Sequence, residues 1–178
     1  GLPGAVDQGE PGRIAEAVKN LGLIYAVITS VTRDDLKDGG AEYFAETVKQ
    51  VRLVNPRVKI EVLTPDFQGS LEALEIVLSA RPDVFNHNLE TVPRLYSLIR
   101  PQAEYRRSLN LLALVKEISP KAISKSGLML GLGEREDEVL DVLKDLMAVK
   151  CDILTLGQYL KPKEAKGHLK HLLFRRNL

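Results

Sequence analysis

Cysteine is almost absent from the 178 residues, and Cys151 stands alone. One thiol excludes an internal disulfide framework and fits a reducing compartment. By itself it builds neither a zinc nor an iron–sulfur site. No apolar run nears the ~20 residues a membrane-spanning helix needs, and no charged-then-apolar signal segment opens the chain. Strong net charge is missing too. The 25 Lys and Arg against 24 Asp and Glu leave a formal +1, which argues against a nucleic-acid protein held by a general basic field. The charge is nonetheless uneven: from Lys161 to Leu178 six basic residues face one acid, +5, and the rest of the chain carries −4. A basic tail of that kind is ordinarily a solvated terminal segment. The chain opens Gly1-Leu2-Pro3-Gly4 without an initiator Met and reads as an internal piece of a longer polypeptide.

What remains is long enough for one domain with a substantial core, residues 1–160, followed by the tail 161–178. Pro11 opens a helix whose buried face is Ile14, Ala15, Val18 and Leu21, and Gly22 ends it. The run Leu23–Ile28 is continuously apolar, which suits a strand covered on both faces. A helix carrying Phe44, Val48 and Val51 follows and stops at Asn55-Pro56. Four more units repeat the plan. Their strands are Val58–Leu63, Asp83–Phe85, Ala122–Leu130 and Asp152–Leu156. Their helices fall around Leu71–Leu78, at Val92–Leu98 and Glu104–Glu117, and at Glu134–Val149. Strand, loop and helix in regular alternation mean a parallel α/β sheet. Doubly wound and barrel arrangements both fit the pattern. At 178 residues the chain falls short of the ~250 of a full eight-fold barrel, so an incomplete barrel of five recognisable strands is expected.

Every strand empties into polar residues: Thr29 and Ser30, Thr64 and Asp66, Asn86 with His87 and Asn88, Lys125 and Ser126, and Thr155 with Gln158 and Tyr159. The first exit is the richest, Thr29-Ser30-Val31-Thr32-Arg33-Asp34-Asp35-Leu36-Lys37-Asp38-Gly39-Gly40. A packed sheet needs no polar ring at its carboxyl edge, whereas a ligand site built from crossover loops does. Taken singly, Asn86 or Asp66 also reads as a helix cap and Glu61 as an outward-facing strand residue. Gly39-Gly40 leaves backbone free to approach a ligand. Gly131-Leu132-Gly133-Glu134 does so at a helix start, but the acids Glu134, Glu136 and Asp137 argue against an anion there. His87 has no second histidine nearby and reads as a satisfied imidazole. Lys125 reads as an imine-forming lysine or as a cation for a carboxylate, and Cys151 as a small core residue at a strand start.

Five stretches carry a specific likeness: Thr29–Gly40 (TSVTRDDLKDGG), Glu61–Phe67 (EVLTPDF), Asn86–Val92 (NHNLETV), Lys125–Glu134 (KSGLMLGLGE) and Cys151–Leu160 (CDILTLGQYL). In order and in register, from about Gly1 to Leu160, the chain resembles the lipoyl synthases of the radical S-adenosylmethionine (SAM) superfamily. The resemblance implies a TIM-like (β/α)6-type barrel of the radical SAM kind, its first strand and cluster loop lying before Gly1. It implies an enzyme that inserts two sulfur atoms, at C6 and C8, into a protein-bound octanoyl group. The implied cofactors are SAM and two [4Fe–4S] clusters, one held by a CxxxCxxC loop to cleave SAM and one consumed as sulfur donor. The implied partners are an octanoylated lipoyl-carrier domain or a glycine cleavage H protein, with no nucleic acid or membrane, for a monomer in the cytoplasm, mitochondrion or plastid.

Carried onto these residues, the resemblance places Asp38, Gly39 and Gly40 at the amino group of SAM, with Thr29 and Ser30 at the same exit. Glu61, Asn86 and Asn88 fall to its ribose and carboxylate, and Lys125, Gly127, Gly131 and Glu134 to the adenine and carboxylate side. Arg33 and Glu90 face the substrate. The chain departs from the family in two respects. None of the six cluster cysteines is present, so a polypeptide of these residues is expected to be inactive alone. Lys170–Leu178 also lacks the family's terminal serine motif. Two other readings stand beside this one: a cluster-free barrel aldolase or lyase using Lys125, and a non-catalytic scaffold that docks acidic carrier domains.

Overall fold

Strand β1 (Tyr25–Thr29) shows in five residues how the sheet divides inside from outside. Successive side chains of a strand point to opposite faces. Ala26 and Ile28 pack into an apolar core, while Val27 between them is 53% exposed. The same parity places Ile60 and Val62 of β2 (Lys59–Leu63) and Phe85 of β3 (Val84–Asn86) in that core. There they meet Ala15 and Val18 of helix α1 (Glu10–Asn20), Phe44, Val48 and Val51 of α2 (Ala41–Val54), and Leu74 and Val77 of α3 (Leu71–Ser79). A second apolar cluster joins Leu128 of β4 (Ile123–Leu130) and Leu154 of β5 (Ile153–Gln158) to three further helices. They contribute Tyr96 of α4 (Tyr96–Ile99), Leu109 and Leu112 of α5 (Tyr105–Ile118), and Val142 and Leu146 of α6 (Glu136–Ala148). These positions come from a computed structural model that describes residues 4–160; the basic tail, 161–178, lies outside the described residues.

All five strands are parallel and lie in chain order, β1-β2-β3-β4-β5. Right-handed crossovers between consecutive neighbours place every helix on one face of the sheet, whereas a doubly wound sheet reverses its order and covers both. The observed order therefore settles the choice in favour of an open part of a TIM-like barrel. It also corrects one expectation. The continuous apolar run before Thr29 suited a strand covered on both sides, but among the described residues the inner face of β1 is open, with Tyr25 44% exposed.

Local chemistry fixes the joints. Pro11 sits in the first turn of α1, where its missing N–H costs nothing. The Asp38 carboxylate accepts the amides of Gly40 (3.0 Å) and Glu42 (2.7 Å) and so caps α2. Ser70 caps α3 through the amide of Ala73. The expected helix over Val92–Leu98 begins as a tighter turn at Pro93–Leu95 before α4, and α6 starts two residues later than its pattern implies. Gln158, read as an exit residue, ends β5.

Two aspartates set strand register. Asp83 precedes β3; its carboxylate accepts the amide of Ile60 (3.0 Å) and is held by Arg52 (3.0 Å) and Lys59 (2.9 Å). Asp152 repeats the arrangement before β5, accepting the Ser124 amide (2.7 Å) and the Lys116 ammonium (2.8 Å). Burial alone would raise both carboxyls, but these donors hold them below the usual carboxylate range. A carboxyl depressed in the fold contributes stability above its unfolded pKa of ~3.9, and that contribution is lost as pH falls through the folded value. Asp83→Ala is expected to cost about 2 kcal/mol at neutral pH, the scale of hydrogen bonds to a charged group. Urea unfolding should show that cost shrinking below pH 4; an Asp83→Ala chain as stable as the parent at pH 7 would refute the clamp.

Candidate active site

The strand ends converge on a polar inner face. Register aligns Thr29, Leu63, Asn86, Lys125 and Ile153 in one row across the sheet, with Val27, Glu61, Val84 and Ile123 in the row beneath. Glu61 is 2% exposed. It receives the Tyr25 hydroxyl at 2.6 Å, Asn86 Nδ2 at 2.7 Å, and Lys125 Nζ at 2.9 and 3.1 Å. Burial alone would raise the Glu61 carboxyl, but hydrogen bonds from Tyr25, Lys125 and Asn86 outweigh it and hold it below its ordinary value. The Tyr25 hydroxyl moves the other way, pushed up to about 12 by burial and by the carboxylate it serves. Lys125 thus lies against a carboxylate as its cation, the second of its two sequence readings, whereas an imine requires a free amine.

Two carboxamides stand at and just beyond the end of β3. Asn86 donates to Glu61, and Asn88 Nδ2 donates to Glu90 Oε1 at 3.0 Å. A carboxylate only accepts, so each amide's orientation is fixed. Both Oδ1 atoms are then buried acceptors without a partner, a costly state unless something supplies a donor. Gly127 lets the Asn88 side chain pack closely over β4, because a Cβ there would lie 2.8 Å from Asn88 Oδ1 and 3.0 Å from Thr155 Oγ1. The loop holding Asn88 is clamped on several sides. Ser126 Oγ accepts the Leu89 amide, Glu90 exchanges backbone bonds with Gly127 and Met129, and Arg100 reaches the Asn88 carbonyl at 3.0 Å. Glu90 holds a left-handed φ of +66° to make this bridge to β4.

The first exit forms a separate wall. Thr29, Ser30, Arg33 and Gly40 line a cleft of about 390 Å³ together with Ile14 of α1 and Phe44 of α2, on the helix side of the sheet. The Arg33 guanidinium forks onto Asp35 at 2.8 and 2.7 Å. Asp38 caps α2, leaving the backbone of Gly39 and Gly40 at the turn. Gly39 has φ +62°, and a Cβ there would lie 3.1 Å from Phe67 Cδ1, so both the backbone and the close approach favour glycine. On the far side, Glu134 bends back onto the amides of Gly131 and Leu132. The N–H groups an anion would use there are already taken, consistent with the acidic character of that turn.

Several residues turn out to be structural. Asp66 caps the short turn at Phe67–Gly69 and pairs with Arg107 at 2.7 Å. His87 is 1% exposed. Its Nδ1–H donates to the Thr64 carbonyl, which fixes the tautomer, and Ser108 Oγ–H donates to Nε2, both at 2.9 Å. Cys151 packs partly buried just before β5, its thiol pushed up by burial. Tyr25 and Arg100 escaped the sequence reading. Period-2 alternation puts Tyr25 on the face of Val27 and Thr29, but its bond to Glu61 needs the β1–β2 register. Arg100 lies between two helical stretches with no local pattern to mark it.

The radical SAM superfamily profile matches residues 1–146. The lipoyl synthase of Caldanaerobacter subterraneus subsp. tengcongensis is 57% identical over 162 residues, which is 91% of this chain and 57% of that protein. The lipoyl synthase of Caldicellulosiruptor saccharolyticus is 55% identical over 92% of this chain and 58% of its own length. The chain therefore spans little more than half the length of these curated relatives. Among solved structures, the [FeFe]-hydrogenase maturase HydG aligns with 98% of the chain and 40% of its own (TM-score 0.75, 13% identity). Streptococcus suis SuiB bound to S-adenosylmethionine covers all of this chain and 38% of its own (TM-score 0.72, 10% identity). At such identities the likeness is one of fold.

The neutral state of His87 has a measurable consequence. Burial drives its pKa down to about 4 from an unfolded value of ~6.5. Between those values the unfolded chain binds a proton the native state refuses, so stability falls as pH drops, by up to ~1.4 kcal/mol per unit. The His87 imidazole resonances are expected to stay unchanged from pH 8 to pH 5; titration near 6.5 would mean the imidazole is open to water.

Proposed function

This chain belongs to the radical SAM superfamily, and from that premise we propose that it is the barrel core of a lipoyl synthase, which inserts sulfur at C6 and C8 of a protein-bound octanoyl group. The observation that carries the cofactor side of the reading is the pair of buried, unpartnered carboxamide oxygens of Asn86 and Asn88, the latter packed over Gly127. Acceptors fixed in this way suit the hydroxyl or ammonium groups of SAM and leave its carboxylate to donors elsewhere on the rim. Thr29, Ser30 and the Asp38-Gly39-Gly40 turn form the wall at the first exit, with Glu61 and Lys125 beneath. Gly127, Gly131 and Glu134 shape the opposite side. When bound, SAM supplies a hydrogen-abstracting radical centre to this chemistry. The residues of the chain bind and orient it, and the glycines keep side chains out of its way.

Iron–sulfur clusters do not fit the residues present. A [4Fe–4S] cluster takes several thiolates. The sequence has Cys151 alone, at the end of β5 opposite the rim, and among the described residues no three His, Cys, Asp or Glu side chains are placed to hold a metal. In this reading the cluster ligands belong to the part of the relatives' length that these residues do not span. Arg33 and Glu90 are assigned to the octanoyl-bearing substrate, and the partner is an octanoylated lipoyl-carrier domain or glycine cleavage H protein. Among the described residues no helix is long and apolar enough to cross a membrane. We place the protein in the reducing cytoplasm, or its organellar equivalent, on the strength of its lone thiol.

Two experiments test this. After anaerobic reconstitution with iron and sulfide, the 178-residue chain is expected to hold no stoichiometric cluster and to be inactive. Iron analysis and an ultraviolet–visible spectrum check this, and a full [4Fe–4S] signal would sink it. A chimera in which these residues replace the matching part of the Caldanaerobacter enzyme is expected to convert an octanoylated carrier to its lipoyl form, read by mass spectrometry. A chimera that cleaves SAM without adding sulfur would keep the superfamily and reject the lipoyl reading.

A further inference from the structure

A carboxylate offers about four lone-pair directions, and all four of those on Glu61 are filled from within the chain. Oε1 accepts Asn86 Nδ2 (2.7 Å) and Lys125 Nζ (2.9 Å); Oε2 accepts the Tyr25 hydroxyl (2.6 Å) and Lys125 Nζ again (3.1 Å). The carboxylate, 2% exposed, has no free acceptor direction left to offer a ligand. Packing does not require it, because a buried ion pair is often replaced by apolar residues at no loss of stability. What the carboxylate does impose is orientation. An isolated carboxamide has two nearly equivalent settings. Turning Asn86 over would bring Oδ1 against Glu61 Oε1 at hydrogen-bonding distance, two acceptors with no proton between them.

We propose that Glu61 is a positioning residue: it fixes the Asn86 carboxamide so that Oδ1, buried and without a partner among the described residues, is the atom left to receive a donor from a ligand, and it holds the Lys125 ammonium beside it without touching the ligand itself. The group met by Asn86 is then a hydrogen-bond donor, a hydroxyl or an ammonium, and a carboxylate is turned away at this point. The inference rests on the reading that this inner face is the ligand side, but its test does not pass through ligand binding.

The measurement is solvent exchange of the Asn86 side-chain amide, followed by NMR on the full 178-residue chain and three variants. In the parent chain the Asn86 Nδ2 protons are expected to exchange at least about tenfold more slowly than those of exposed Asn20. Glu61→Gln, made together with Lys125→Met so that no ammonium faces the new amide, keeps an acceptor, because its Oε1 serves Asn86 while its amide donates to Tyr25, and exchange should stay within about twofold of the parent. Glu61→Met removes the acceptor, and the protection should be lost, about tenfold or more. The double variant Glu61→Met/Lys125→Met leaves no unpaired charge and should show the same loss if the single variant does not fold. Protection retained in the Glu61→Met variants, or lost equally in Glu61→Gln/Lys125→Met, would overturn the proposal. Failure to bind SAM would overturn the cofactor reading and leave this result standing.

Discussion

Three parallel strands each send one polar side chain to a single buried carboxylate on a fourth. Tyr25 comes from β1, Glu61 from β2, Asn86 from β3 and Lys125 from β4. Moving a carboxylate out of water costs several kcal/mol unless good geometry and further hydrogen bonds compensate. That requirement ties the four strands to one register, since a slip of one residue would turn any of these side chains to the opposite face. The rim depends on the same hub. Asn86 leads through buried His87 to Asn88, and the loop beyond is fastened to β4 by Glu90.

A second constraint couples the first two exits. Phe67, Gln68 and Gly69 all hold left-handed backbone, with φ of +48°, +52° and +82°. For the two non-glycine residues this is a strained state, of order 1–3 kcal/mol each, maintained here by the Asp66 cap and the Asp66–Arg107 pair. The result is that Phe67 lies buried edge-on to Phe44 at 6.3 Å and against Gly39. The turn after β2 therefore props the turn after β1, and the glycine-bearing wall of the site is set by an aromatic side chain from the next unit.

Much of this was legible in the sequence, for identifiable physical reasons. Apolar residues between turn-forming Gly and Pro located all five strands, because one face of each strand must meet the helices and its loops must turn. Polar exits such as Asn86 and Thr29 marked the rim because packing gives no reason for them. Doubly wound and barrel arrangements could not be separated that way, since alternation is common to both and strand order is a long-range property. Nor could the sequence distinguish groups available to a ligand from groups engaged internally. Asp38 and Asp66 at the exits and Glu61 within a strand all read as acids of the rim, yet two are caps and one is a hub, a difference that lies in which donors reach them.

The unbroken strand order also bears on how such a chain is built. Each unit needs only its predecessor to lie against, and Asp83 and Asp152 hook β3 and β5 onto the strand already in place. Contacts between neighbours in sequence are the quickest to form, and chains fold from the amino end while still emerging from the ribosome. A growing sheet of this kind can be laid down strand by strand. Its interior charge, however, must await Lys125: until β4 arrives, Glu61 faces only Tyr25 and Asn86. Arrival of the fourth unit is then the moment at which the nascent sheet exchanges a half-satisfied, water-seeking centre for a closed one.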